Sequence, residues 1–163
     1  MGLDIIYCSK LTPAVGNEAF DSTGELGEEW RQIYVNPDFP GRAAGLKHQH
    51  AYKADTEEYF RAGSYSGYNA WRECLAVLAG YPDGDRGHAS SAWQMTGGPF
   101  WELINFSDCE GTIGPAMSSK LAQDFAEFQD KADQHEDEWF KKLYGKWRVA
   151  FETAADGGCV IFC

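Results

Sequence analysis

Phe140, Leu143, Trp147 and Phe151 stand three, four and four residues apart, the spacing that an α-helix turns into one apolar stripe. Leu121, Phe125 and Phe128 make a second stripe upstream. The polar run "DKADQHEDE" lies between them, so the stretch from Ala116 to about Ala155 reads as two helices or one long bent helix. Pro115 suits the first helical turn, where its missing N–H is no loss, and Gly157 and Gly158 end the pattern. Stripes this rich in rings need a second layer to bury them.

Short strands supply that layer. "GLDIIYCS" (2–9) is rich in Ile and Tyr and too brief for a stable helix. "WRQIYVNP" (30–37) reads as a second strand ended by Pro37, "YFRAG" (59–63) closes a third, and "CVIFC" (159–163) makes a last one. "PFWELINFS" (99–107) reads as the strongest: it carries bulk on both faces, as a central strand does. Residues 11–29 and "DGDRGHASS" (83–91) read as loops. Ala70, Trp71, Cys74, Leu75 and Leu78 predict a helix, with Ser66 as N-cap, Gly80 as the left-handed stop and Pro82 beyond it. With 163 residues and nothing to divide them, the chain reads as one α+β domain, residues 1–163: a small, mostly antiparallel sheet with about three helices packed on it.

The net charge of −11 sets most of the surface against nucleic acid polymers and anionic membranes. The acidic runs 18–29 and 127–138 read first as solvated faces. The five cysteines are widely spaced, odd in number and form no CxxC, which points to reduced thiols in a cytoplasm. Asp4 interrupts the first apolar run, so no signal peptide is expected, and no stretch approaches the roughly 20 apolar residues of a membrane span.

Two segments carry candidate chemistry. "RAGSYSGYN" (61–69) leads into a helix, whose first amides are unpaired and attract anions. There Arg61 adds a forked cation, Gly63 and Gly67 let amides turn inward, Ser64 and Ser66 add hydroxyls, Tyr65 or Tyr68 could stack on a base, and Asn69 adds an amide. The alternative is a plain strand-to-helix turn; neither GxGxxG nor GxxxxGK[ST] is present. In "NFSDCEGTIG" (105–114), Asp108 and Glu110 could accept hydrogen bonds from a ribose or base, or serve with Cys109 in a small hydrolase or transferase. That segment also reads as an ordinary turn. His48 and His50 lack a third ligand at metal-type spacing, and Trp71 and Trp93 read first as core.

"MGLD", "NPDFPGRA", "FRAGSYSGYNAWRE", "PFWELINFSDCEGTIG" and "FETAADGG" together resemble a family of small bacterial, phage and prophage proteins, nearly end to end. The resemblance lends no catalytic residues and implies an accessory or counter-defence context. By analogy, it implies a protein that sequesters a nucleotide-derived immune signal. The expectation is therefore a non-enzymatic binding protein in the bacterial host cytoplasm. Its partner would be a small phosphate-bearing nucleotide derivative held by Arg61, Gly63–Asn69, Asp108 and Glu110, with no cofactor, metal, nucleic acid polymer or membrane; a homo-oligomer stays open. An acidic protein-binding inhibitor or DNA-charge mimic is the third reading.

Overall fold

The structure, a computed structural model, describes all residues 1–163. The architecture is α+β, with two antiparallel sheets. Strand β1 (Gly2–Ser9) lies inside a four-stranded sheet between β5 (Thr56–Ser64) and β7 (Cys159–Phe162), and β6 (Gly111–Ile113) closes the far side. The first and last strands of the chain are thus hydrogen-bonded neighbours, from Ile5↔Phe162 to Cys8↔Cys159. A small second sheet joins β2 (Thr12–Pro13), β4 (Ala51–Lys53) and β3 (Trp30–Gln32). Three long helices, α1 (Tyr65–Ala79), α4 (Pro115–Glu127) and α6 (Glu138–Ala154), pack on the larger sheet. The short helices α2 (His88–Ser91), α3 (Trp101–Ile104) and α5 (Gln129–Asp133) connect them.

Alternation along β1 divides the core. Leu3 and Ile5 are buried in the main cluster with α1, α4 and α6, while Cys8 turns to the other face with Ile33, Tyr52 and Cys159. The main cluster is a stack of rings. Trp147 sits inside it, with Phe60 edge-on at 5.1 Å, Phe162 at 5.5 Å, Tyr68 at 5.6 Å, and Trp71 and Phe151 each at 5.7 Å. Tyr68 is wholly buried and its hydroxyl has no hydrogen-bond partner. A buried, unpaired hydroxyl costs on the order of 1–3 kcal/mol. Tyr68→Phe should therefore raise stability by about 1 kcal/mol. Urea melts would contradict this by showing a clear loss.

The segment 99–107 is not a strand. It forms the single turn α3 and its flanks, and Phe100, Leu103, Ile104 and Phe106 are all buried around that turn. Phe100 adopts a left-handed conformation (φ 56°), and its N–H donates to the Asp124 carboxylate at 2.9 Å. Lys120 holds the same corner through Gly98 O, Glu102 and Asp124. Bulk on both faces here reflects enclosure by helices, not a central strand.

Smaller corrections follow from local bonding. Residues 30–37 keep ladder pairing only to Gln32, and β5 begins at Thr56, three residues before the expected stretch. Ser64, not Ser66, caps α1: its Oγ accepts the Gly67 N–H at 3.0 Å. Gly80 does stop α1 in the left-handed conformation (φ 84°). The long C-terminal stretch breaks twice, and Asp137 caps α6 by accepting the Trp139 N–H at 2.9 Å. No helix is long and apolar enough to cross a membrane.

Candidate functional site

The β5–α1 junction is organised by its own short residues. Gly63 (φ 120°) lets the strand turn, and Ser64 then takes one of the open helical amides. Ser66 Oγ lies 3.2 Å from Ser64 Oγ, and Tyr65 packs partly against the main core. Arg61 precedes the turn on the sheet face away from the long helices, where it pairs with Asp4 at 2.6 Å across the ladder. The Tyr68 ring lies under Trp71 and Trp147, so no base can reach its face.

The second segment is a turn. Ser107 Oγ accepts the N–H groups of Cys109 at 3.2 Å and Glu110 at 3.1 Å, and the chain then enters β6. Glu110 is exposed, and its backbone carbonyl accepts from Asn36 Nδ2 at 3.0 Å. Cys109 is exposed with its Sγ beside Ser107 Oγ.

The two segments meet at one point. Asn69 Nδ2 donates to Asp108 Oδ2 at 2.8 Å, and Asn69 Oδ1 accepts from Arg72 Nη2. Arg72, one helical turn beyond Asn69, is the residue that the sequence reading missed. It is 7% exposed, its Nη1 donates to Ile104 O at 3.1 Å and Phe106 O at 2.6 Å, and its guanidinium lies 4.7 Å over the Tyr68 ring. It forms no ion pair with any carboxylate.

A cavity of about 720 Å³ opens beside Arg72. Asn69, Arg72 and Glu73 of α1 form one wall; Asp85, Arg86, Ala89 and Ser90 form another; Trp93, Gln94 and Ile104 complete it. Of the ten residues expected to bind a ligand, Asn69 alone lines this space. Arg61, Gly63, Ser64, Tyr65, Ser66, Gly67, Tyr68, Asp108 and Glu110 lie outside the lining.

The second wall is held by Glu73. Its carboxylate accepts the N–H groups of His88 at 2.6 Å and Ala89 at 2.8 Å, and lies 2.9 Å from His88 Nδ1. Burial works against the charged form, yet the Ala89 and His88 amides and the His88 ring hold this carboxyl below the usual glutamate range. Gly87 (φ 101°) makes the approach possible, because a Cβ there would meet the Glu73 carboxylate at 2.7 Å. Trp93 is half exposed, leaning edge-on against Phe39 at 5.7 Å, while Trp71 belongs to the core. Arg86 is exposed and unpaired.

Two arginines, Arg72 and Arg86, two carboxylates, Glu73 and Asp85, and the tryptophan Trp93 therefore line one hollow. Such a set can clamp an anion, stack on a flat ring and accept a hydrogen bond from a hydroxyl. The histidines of "KHQH" take separate structural roles: His48 Nδ1 accepts the Val35 N–H at 3.1 Å, and His50 packs on Tyr52. No protein-family model, curated protein or solved structure matches this chain.

Proposed function

We propose that this chain is a non-enzymatic binding protein that holds a small phosphate-bearing nucleotide derivative in the Arg72 cavity, removing it from a host signalling pathway. The context would be phage-type counter-defence in a bacterial cytoplasm. The observation that carries the reading is the state of Arg72: a buried cation at a cavity wall whose partners are two backbone carbonyls and one side-chain amide. Buried charges are normally paired with an opposite charge, and an anionic guest supplies one. Arg86 adds a second guanidinium from the rim, Trp93 offers a stacking face, and Asp85 suits a ribose hydroxyl. The volume lies within the usual range of small-molecule sites, roughly 300–1,000 Å³. The anchor is thus Arg72 in place of Arg61, with Asn69 and Asp108 retained as the pair that orients it.

Calorimetry against cyclic dinucleotides and ADP-ribose derivatives tests this directly. A ligand recovered intact after denaturing the complex supports sequestration; a changed one supports the hydrolase or transferase reading built on Asp108, Cys109 and Glu110. Trp93→Ala should weaken binding about tenfold or more, the scale of one lost stacking contact. Its melting temperature should stay close to the parent's, because Trp93 is half exposed. Absence of heat with every compound would end the proposal.

A further inference from the structure

Strand β5 is an edge strand nine residues long, bonded on one side only, to β1. Outside that ladder and the start of α1, its backbone groups have no partner in the chain. Edges of this length are usually shielded by proline, a covering loop, a bulge or charged side chains, and β5 carries Glu57, Glu58 and Arg61 and a register shift at Ala62. Between those charges the middle of the edge also carries Tyr59, 82% exposed, the most exposed aromatic residue of the protein.

Two identical strands that pair antiparallel about a two-fold axis bring residue i opposite residue j, with i + j constant. Directly opposed residues share a sheet face, so that sum must be even. Few registers remain. Centring on Glu57, Glu58 or Arg61 sets like charges against each other. Centring on Phe60 leaves Glu57 opposite Gly63 and Glu58 opposite Ala62. Centring on Tyr59 places Glu57 opposite Arg61 twice, and Tyr59 against itself.

That register also answers a second observation. Phe60 and Glu58 lie on the helix side of the sheet, where Tyr7, Phe60, Lys142 and Lys146 border a groove of about 450 Å³. Lys142 and Lys146 are exposed and form no ion pair, in a chain whose net charge is −11. Glu58 of a second copy would enter opposite Phe60, beside those lysines. The pairs Arg61–Asp4 and Arg31–Glu57 already present are partly exposed and exchange partners at little cost.

We infer that two copies of this chain associate through β5, antiparallel and centred on Tyr59, to make one continuous eight-stranded sheet. Light scattering at increasing protein concentration should show the mass rising toward twice 18.2 kDa. Glu57→Arg sets arginines opposite each other at both ends and should weaken the dimer about tenfold or more. Adding Arg61→Glu to that variant restores opposite charges and the dimer. In a Cys109→Ser, Cys163→Ser background, Tyr59→Cys should be joined to itself by a short bismaleimide, whereas Thr56→Cys, set opposite Ala62, should not. Circular dichroism confirms that each variant is folded. A monomer at every concentration, or a dimer in which Thr56→Cys cross-links and Tyr59→Cys does not, overturns the inference.

Discussion

Trp147→Ala is expected to lower stability by about 4 kcal/mol and the melting temperature by roughly 10 °C, the largest effect of any single core truncation here. Trp147 is fully buried and touches rings from a strand edge (Phe60), from α1 (Tyr68, Trp71), from its own helix (Phe151) and from the last strand (Phe162). It therefore joins elements far apart in sequence, and neighbours fixed by several elements cannot collapse into the space it leaves. Trp147→Phe should cost clearly less. It keeps a ring in the stack and removes an indole N–H that has no hydrogen-bond partner. Denaturant melts of the two variants check this order. Equal losses would mean that the site tolerates a void, and that the ring stack is not what joins sheet to helices.

Why Trp147 was legible and Arg72 was not comes down to range. The α6 stripe and the Gly80–Pro82 stop of α1 are set by neighbours within one or two turns, and β1 and β7, though their partners are distant, show themselves as short runs rich in β-branched and aromatic residues. The segment 99–107 is decided from a distance. Asp124 lies 24 residues from the Phe100 N–H that it accepts, and nothing near Phe100 announces a left-handed residue. The site divides the same way. Ser64 and Gly63 build their turn locally, and glycine and hydroxyl content identified that turn as a helix start. The cavity exists because Glu73 captures two amides 15 and 16 residues later, which turns a stretch read as loop into a wall carrying Arg86 and Ser90. Arg72 did leave a trace: an arginine directly after Trp71, one turn from Asn69, sits where the helix is already turning inward.

Arg72→Met should cost about 3 kcal/mol and abolish detectable ligand binding. The methionine fills much of the volume, but Ile104 O and Phe106 O lose their donor at a buried site. Loss of binding alone would not separate a missing anchor from a loosened wall. A reciprocal exchange does so: Asn69→Asp with Asp108→Asn. The pair keeps a carboxylate–amide hydrogen bond and the same net charge, but moves the carboxylate from Asp108 onto Arg72. A buried guanidinium with a direct counter-ion is better compensated, so stability should hold or rise by about 1 kcal/mol. The same change adds a negative charge to the cavity wall and gives Arg72 a counter-ion within the protein, so affinity for a phosphate-bearing ligand should fall about tenfold or more. Melting curves and calorimetry on the double variant read the two effects separately. Binding that survives the exchange would show that the charge of Arg72 faces the protein and not a guest.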